Sequence, residues 1–81
     1  MTTETKVREY ILDNFLFTDD QNALSSDDSF MNKGIVDSTG MLEIIYFIED
    51  EFEVKVDDDE MVPENLDSVN NIVNFVEKKI N

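Results

Sequence analysis

Residues 34–43 read Gly-Ile-Val-Asp-Ser-Thr-Gly-Met-Leu-Glu, a short polar loop that leads directly into a helical pattern. Aspartate and serine cap helices because their side chains accept hydrogen bonds from the free amides of the first turn. The stretch therefore predicts a helix from about Ser38 to Glu53, with Asp37 or Ser38 as its cap. A serine at the mouth of a helix, with carboxylates behind it, is well placed for modification by another protein. Ser38 is therefore the candidate functional residue.

This helix is predicted to bury one face and expose the other. Apolar side chains recur at spacings of three and four and form the buried stripe, namely Met41, Ile44, Ile45, Ile48 and Phe52. The outward side chains are Leu42, Glu43, Tyr46, Glu49, Asp50 and Glu53. Leu42 and Tyr46 lie one turn apart among acids, which indicates a small binding face, although single exposed apolar residues are also ordinary. Because alanine is a better helix former than glycine by about 1 kcal/mol, we expect the fold to tolerate Gly40→Ala.

The two ends of the chain also carry long helical patterns. From about Thr3 to Leu16, the apolar residues at helical spacing are Val7, Tyr10, Ile11 and Phe15. The last helix begins at Asp67-Ser68, where either residue can be the cap. Its apolar stripe is Val69, Ile72, Val73, Val76 and Ile80.

The connections between these helices differ in length. Residues 17–34 are rich in turn-forming residues, so they form a long loop. The apolar residues expected to pin it over the core are Phe17, Leu24, Phe30 and Ile35. A short helix or helical turn fits between Asp58 and Leu66, with Pro63 at a helix start or in a turn. The sequence thus predicts an all-α four-helix bundle, with three long helices and one short one, as a single domain over residues 1–81.

The charge of the chain is strongly one-sided. Six basic residues against twenty acidic ones give a formal charge of −14, which repels nucleic acid and anionic membranes and attracts basic protein surfaces. No stretch approaches the roughly 20 apolar residues of a bilayer span. We therefore expect a monomeric, cytoplasmic protein that binds neither nucleic acid nor membrane and whose partners carry Lys or Arg patches.

The residue types also restrict the chemistry. The chain has no cysteine and no histidine, so disulfides, thiolate metal sites and the usual nucleophiles and general bases are missing. A calcium-binding EF-hand loop needs glycine at its sixth position, but a loop that starts at Asp57 has Val62 there, and a loop that starts at Asp19 fails as well. We expect no catalytic residue and no dedicated metal site. Ser38 has only Asp37 beside it as a base, so another enzyme must activate it.

Besides Asp28-Ser29 in the long loop, the dipeptide Asp-Ser occurs at the start of two predicted helices, at Asp37-Ser38 and at Asp67-Ser68. Both pairs could simply be helix caps. The first pair follows a glycine-bearing loop and opens a helix with an acidic outer face, whereas the second opens a helix that ends in lysines. From the residues alone, modification of Ser38 and a capping role for Ser38 both stay open.

Several residues, in their order along the chain, resemble acyl carrier proteins over nearly the whole sequence: Asp28-Ser29-Phe30, Gly34, Asp37-Ser38, Glu43 and Glu49-Asp50-Glu51-Phe52. In that family the serine of the Asp-Ser motif carries 4′-phosphopantetheine in a phosphodiester bond, and the terminal thiol of this arm holds acyl groups as thioesters. The resemblance implies that Ser38 is the attachment site and that Asp37 belongs to the same cofactor-binding motif. It also implies a phosphopantetheinyl transferase as the modifying enzyme.

By the same resemblance, the second long helix is the recognition helix. The residues implied to meet partner enzymes are Thr39, Leu42, Glu43, Tyr46, Glu49 and Asp50. Docking of an acidic surface on a basic one is fast and reversible, which suits a shuttle. The implied partners are an acyl- or aminoacyl-AMP ligase that loads the carrier and a downstream acyltransferase or synthase, both with basic docking surfaces.

The departures from the family pattern concern the subtype. Fatty-acid carriers usually place leucine after the serine, whereas this chain has Thr39 and Gly40, and residues 63–68, Pro-Glu-Asn-Leu-Asp-Ser, make the third segment longer. These features resemble free-standing carriers loaded by AMP-forming ligases, including the D-alanyl carrier type, more than carriers of fatty-acid synthesis. The sequence does not identify the cargo, because the arm holds it and the loading enzyme selects it.

Two interpretations from other classes stay open beside the carrier. One is a non-catalytic interaction module whose acidic surface binds a basic partner protein, with Ser38 only a helix cap. The other is an acid-rich ion-binding domain, which the failed EF-hand spacing makes the weakest of the three.

Overall fold

The computed structural model describes residues 2–80 and contains four α-helices in that range. Helix α1 spans Thr3–Ile11, α2 spans Ser38–Phe52, α3 spans Pro63–Leu66 and α4 spans Val69–Ile80. Three of these helices are long and α3 is a single turn, and the same residues contain no strand. The predicted all-α architecture with three long helices and one short one is confirmed.

Local sequence explains where most of these helices begin. The Thr2 hydroxyl accepts a hydrogen bond from the Thr5 amide at 3.1 Å at the start of α1. Pro63 is the first residue of α3, a position where the missing proline amide costs nothing. A 3₁₀ turn at Asp58–Glu60 precedes it, so the helical turn predicted between Asp58 and Leu66 is present in two pieces.

The core is a single apolar cluster, and every helix contributes side chains to it. Helix α4 packs against α1, α2 and α3. The fully enclosed apolar side chains are Val7, Ile11, Leu12, Leu24, Phe30, Ile44, Ile48, Leu66, Val69, Ile72 and Val76. Burial of large aliphatic side chains, at about 1.5 to 3 kcal/mol each, is the main favourable term in a cysteine-free chain of this size.

The first helical pattern runs to Leu16 as predicted, but its last part has a different geometry. After Ile11 the chain continues as a π-helical segment, Leu12–Leu16, which ends at Phe17 in the left-handed region with a φ of 54°. A π turn takes one residue more than an α turn, so residues beyond it rotate relative to the α-helical pattern. This segment buries Leu12, which a 3.6-residue period did not select.

The long loop is pinned over the core, although not by all the residues expected. Leu24 and Phe30 are buried and Ile35 is half-buried, which confirms those three anchors. Phe17 is wrong as an anchor, because 82% of its side chain is exposed. Its left-handed backbone at the end of the π segment turns the ring away from the core.

A single arginine ties the loop to α1. The Arg8 guanidinium donates hydrogen bonds to the Leu24 carbonyl and the Ser26 hydroxyl, and it lies 3.2 Å from the Glu4 carboxylate. The Ser26 hydroxyl in turn donates to Glu4 at 2.8 Å. These bonds fix a loop that has only one 3₁₀ turn of its own, at Gln21–Ala23.

The last helix faces the core with a stripe slightly different from the predicted one. Val69, Ile72 and Val76 are buried as expected, but Ile80 is 55% exposed and Phe75 is buried instead. The core therefore lies toward the Phe75 side of α4. Ile80 falls in the last turn, beyond the end of the packed surface.

Ion pairs use most of the few basic residues. Within residues 2–80, four of the six lysine and arginine side chains pair with carboxylates, as Lys6 with Glu51, Arg8 with Glu4, Lys33 with Asp28 and Lys79 with Glu60. The surface is therefore left with a large excess of unpaired negative charge. None of the helices in this part of the chain has the length and apolar character needed to cross a bilayer.

Candidate functional site

The first turn of α2 leaves a serine hydroxyl free. The Asp37 carboxylate accepts a hydrogen bond from the Gly40 amide at 2.7 Å and is the N-cap of the helix. Ser38 is the first helical residue, is exposed, and its hydroxyl has no hydrogen-bond partner among residues 2–80. The sequence left the cap open between Asp37 and Ser38, and the structure assigns it to Asp37. The interpretation of Ser38 as only a helix cap is therefore wrong.

The loop before this serine is hooked onto a buried aromatic residue. The amides of Ile35 and Val36 both donate to the Phe30 carbonyl, at 2.8 and 3.2 Å. The turn between Phe30 and Ile35 requires a positive φ, and Gly34 supplies it with a φ of 70°. Val36 is buried, so the exposed residues Asp37 and Ser38 directly follow a residue that is anchored in the core.

Asp67, from the Asp-Ser pair before α4, holds this loop in place. The Asp67 carboxylate accepts hydrogen bonds from the Ser29 hydroxyl and from the Met31 amide, the latter at 3.0 Å. The Asp67 carbonyl accepts a third bond, from the Phe30 amide at 2.8 Å. Asp67, which closes α3, therefore fixes the segment that leads into the Ser38 loop.

Gly40 permits a close contact between α2 and the π-helical segment that follows α1. A Cβ atom at this position would lie 2.8 Å from Cε1 of Phe15 and 3.0 Å from Cγ1 of Val36. Real Cβ atoms do not approach other heavy atoms as closely as 2.8 Å. The expectation that the fold tolerates Gly40→Ala overlooked this contact, because helix propensity does not include it and the Phe15 ring, in the π segment after α1, must shift to admit a methyl group.

An apolar groove lies beside Ser38, with a cavity volume of about 220 Å³. We call it the serine groove. Its walls come from α2, from the turn after Phe30 and from the segment that leads into α3, and its lining residues are Met31, Ser38, Met41, Leu42, Ile45, Met61, Val62, Pro63 and Leu66. Met31, Leu42 and Met61 stay partly exposed at its rim, at 47%, 48% and 37%.

The predicted partner-facing residues of α2 divide between two surfaces. Leu42 lines the serine groove. Glu43, Tyr46 and Asp50 line a separate shallow groove, and Thr39 is exposed but lines neither. This second groove lies between α1 and α2 and is completed by Tyr10, Asn14 and Phe47. We call it the α1–α2 groove.

Glu49 has an internal partner. Its side chain is half-buried, and one carboxylate oxygen accepts a hydrogen bond from the Val56 amide at 3.0 Å. This bond returns the chain to the core after α2, since Val56 is buried. The structure therefore gives Glu49 a role in the fold, apart from the surface of Glu43, Tyr46 and Asp50.

Aromatic rings form the floor of the α1–α2 groove. The rings of Tyr10 and Phe47 are stacked, with centroids 4.0 Å apart and an interplanar angle of 12°. The Tyr10 hydroxyl donates to the Glu43 carbonyl at 3.2 Å. Burial and the negative charge of Glu43 raise the pKa of Tyr10, so this hydroxyl keeps its proton and its donor role.

Sequence reasoning missed the residues that α1 and the α3 region contribute to the two grooves. Tyr10 was assigned only to the core, and Met31, Met61 and Pro63 were not assigned to any site. Their signal in the sequence is weak, because their positions depend on how separate segments meet in three dimensions. The packing of the helices and the hydrogen bonds of Asp67 place these residues beside α2.

The residues at Ser38 fit a phosphate-linked arm. The hydroxyl is exposed and makes no hydrogen bond within the described range 2–80, the start of a 15-residue helix favours negative charge, and an apolar groove runs alongside. Among residues 2–80, no group of three or more acidic side chains is placed to hold a metal ion. The arrangement thus offers an acceptor for a covalent group and apolar space beside it.

Comparison with known proteins gives two relatives that cover most of the chain. The D-alanyl carrier protein of Streptococcus uberis is 38% identical over 74 residues, which are 89% of this chain and 92% of that protein. The acyl carrier protein of Exiguobacterium sibiricum is 31% identical over 61 residues, 75% of each. No family model matches the chain.

Proposed function

This chain belongs to the acyl carrier protein family, and from that premise we propose that it holds an acyl or aminoacyl group on a 4′-phosphopantetheine arm attached to Ser38. It is a carrier and not an enzyme. The arm supplies a thiol, on which the cargo is held as a thioester. The observation that carries the proposal is the free, exposed hydroxyl of Ser38, which Asp37 leaves available by capping the helix itself.

The attachment needs a base from outside the chain. The carboxylate of the preceding residue, Asp37, is engaged with the Gly40 amide at 2.7 Å. A phosphopantetheinyl transferase would therefore remove the proton from Ser38 Oγ, which then forms a bond to phosphorus while the nucleotide part of coenzyme A leaves. The chain contributes an exposed acceptor oxygen and a helix start that favours the charge of the phosphodiester.

The serine groove supports a short cargo. Its volume of about 220 Å³ is below the roughly 300 to 1,000 Å³ of pockets that hold drug-sized ligands. The partly exposed methionines Met31 and Met61 at the rim are flexible and adapt to different shapes. In this proposal the groove takes the apolar part of the arm or a small acyl or aminoacyl group.

The proposed subtype is a carrier loaded by an AMP-forming ligase. The relative with 38% identity is named a D-alanyl carrier protein, and the match covers 92% of that protein. Thr39 and Gly40 after the serine agree with this subtype more than with fatty-acid synthesis. The proposed partners are an acyl- or aminoacyl-AMP ligase and a downstream acyltransferase or synthase, each with a basic docking surface that matches the charge of −14.

The test is a mass measurement after incubation with coenzyme A and a phosphopantetheinyl transferase of broad specificity. We expect the mass gain of one phosphopantetheine, and we expect Ser38→Ala to abolish it. Ser68→Ala is the matched control, because Ser68 belongs to the other Asp-Ser pair at the start of a long helix, and it should keep the gain. No gain in the parent protein, or a gain that survives Ser38→Ala, would falsify the proposal.

A further inference from the structure

The chain concentrates its sulfur atoms at the serine groove. It has no cysteine and four methionines, and the three methionines of residues 2–80, Met31, Met41 and Met61, all line this groove. We propose that the groove is a redox-sensitive modification site, at which a peroxide converts Met31 and Met61 to methionine sulfoxide and thereby weakens the binding of apolar groups. The proposal goes beyond the carrier function and requires neither the arm nor Ser38.

The three methionines come from separate parts of the chain. Met31 lies in the turn after Phe30, Met41 lies near the start of α2, and Met61 follows the 3₁₀ turn at Asp58–Glu60. The fully enclosed side chains within residues 2–80 are valine, leucine, isoleucine and phenylalanine, without a methionine. The fold therefore does not use thioethers to fill its interior, and it brings them together at one opening on the surface.

Exposure separates two of these methionines from the third. Met31 and Met61 are partly exposed at the rim of the groove, whereas Met41 is half-buried and packs against the core. Oxidation of sulfur in proteins depends on access of the oxidant from solvent. We therefore expect Met31 and Met61 to react first, and Met41 to react only when the groove opens further.

The modification is a transfer of oxygen from hydrogen peroxide to the thioether. A lone pair of Sδ attacks one oxygen of the peroxide, the O–O bond breaks, and the other oxygen leaves as water after it takes the proton of the transferred one. The sulfur is oxidised by two electrons and the peroxide is reduced by two. The product is methionine sulfoxide, which methionine sulfoxide reductases convert back to the thioether.

A sulfoxide at the rim changes what the groove can hold. Apart from the Ser38 hydroxyl, the lining side chains are apolar and offer no hydrogen-bond donor. An apolar group that covers the rim would separate the sulfoxide oxygen from water and leave it without a partner, which is unfavourable. In the empty groove the same oxygen stays in water, so oxidation of the rim methionines should weaken binding without unfolding the protein.

The test uses NMR of the Ser38→Ala protein with ¹³C-labelled methionine methyl groups, and hexanol as a neutral apolar probe. We expect hexanol to shift the methyl signals of Met31, Met41 and Met61 in the reduced protein. After brief treatment with hydrogen peroxide, peptide mass mapping should find sulfoxide at Met31 and Met61 before Met41. Hexanol binding should then be about tenfold weaker, and the two sulfoxide reductases, one for each epimer, should restore it.

Variants assign the effect to the rim methionines. Met31→Leu with Met61→Leu conserves volume and should bind hexanol as the parent does, before and after peroxide. Met41→Leu is the matched control, because it keeps both rim thioethers and should still lose affinity. Circular dichroism should be the same before and after treatment, since a loss of helix would assign the effect to unfolding and contradict the proposal.

Several results would overturn the proposal. These are no binding of hexanol by the reduced protein, oxidation of Met41 as fast as that of Met31 and Met61, unchanged binding after full oxidation of the rim, and an equal loss in the double leucine variant. Because the tested protein lacks Ser38, a failure of arm attachment leaves all of these results unaffected. The proposal and the carrier function therefore fail separately.

Discussion

The two Asp-Ser pairs at the starts of α2 and α4, Asp37-Ser38 and Asp67-Ser68, have the same sequence, but their aspartates and serines have exchanged roles. In the first pair, Asp37 caps α2 and Ser38 is exposed. In the second, the Ser68 hydroxyl accepts the Asn71 amide at 3.0 Å and is buried, with 6% of the side chain exposed. Asp67 is then free to bind the loop around Phe30. In each pair, the residue that does not cap the helix is the one available for another role.

The difference follows from what precedes each helix. A loop leads into α2, so Asp37 can adopt the extended backbone of an N-cap. Helix α4 follows α3 almost without a gap, and the Asp67 amide still donates to the Pro63 carbonyl at 3.0 Å to close α3. Asp67 therefore ends one helix and Ser68 must begin the next. The shift of one position decides which side chain remains free.

Asp67→Ala is the change that should affect the second pair most. It removes the acceptor of the Ser29 hydroxyl and of the Met31 amide, and we expect the free energy of unfolding to fall by about 2 kcal/mol. Asp37→Ala, which removes only a helix cap, should cost about 1 kcal/mol. Urea denaturation of both variants measures the difference. Equal losses would mean that the two aspartates have the same role.

Gly40→Ala tests the contact behind the first pair. The added Cβ lies 2.8 Å from Phe15 and 3.0 Å from Val36, so overpacking of about 1 to 3 kcal/mol opposes the gain in helix propensity of about 1 kcal/mol. We expect a net loss of about 1 kcal/mol in the free energy of unfolding. Phe15→Leu is the companion variant, since a shorter side chain should relieve the contact. A Gly40→Ala protein as stable as the parent contradicts the close approach.

Replacement of Ser38 and of Ser68 by alanine should change the free energy of unfolding by different amounts. Ser68→Ala should lower the free energy of unfolding by about 1 kcal/mol through the lost cap, and Ser38→Ala should change it by less than about 0.5 kcal/mol, as expected for a surface residue. Thermal and urea unfolding of the two variants side by side provide the measurement. A destabilised Ser38→Ala would show that its hydroxyl supports the fold after all.

The smallest expected effect concerns the other end of α4, where Lys79 lies 2.8 Å from the Glu60 carboxylate. The hydrogen bond from Lys79 holds the pKa of Glu60 below its ordinary value of 4.5. A carboxyl group with a lowered folded-state pKa stabilises the fold above its unfolded pKa, and this stability is lost as pH falls through the folded pKa. Glu60→Gln should therefore reduce the loss of stability between neutral pH and the range below 4.5. The free energy of unfolding is measured as a function of pH for the parent protein and for Glu60→Gln, and identical profiles would show that the pair contributes nothing. The Ser68 cap at the start of α4 has no titratable group and should not depend on pH.

The sequence was sufficient for the architecture because long apolar periodicities are strong signals. The helical stripe of α2 and the buried loop residues Leu24 and Phe30 were predicted correctly. The errors lie at the ends of elements. Ile80 continues a perfect period beyond the packed surface of α4, and Phe17 follows a π turn that no hydrophobic pattern encodes.

The site was only partly predictable, for a related reason. Ser38 was found because caps and loops are local in sequence, but which residue of Asp37-Ser38 forms the cap depends on the backbone conformation. The sequence analysis placed Glu49 on the exposed recognition surface. In the structure its carboxylate accepts a hydrogen bond from the Val56 amide. This contact forms because the chain reverses direction after α2, which the sequence pattern did not show. The attachment of an arm to Ser38 and the partner-facing role of its neighbours stay predictions.

Arg8 has a consequence for how this chain can change over generations. The protein has twenty acidic residues and six basic ones, and Arg8 alone reaches Glu4, Ser26 and the Leu24 carbonyl. A lost carboxylate leaves many others to maintain the negative surface, whereas no neighbouring guanidinium can replace this one. Mutational drift should therefore be asymmetric, with free exchange among the acids and strong selection at the rare cation that keeps the loop closed.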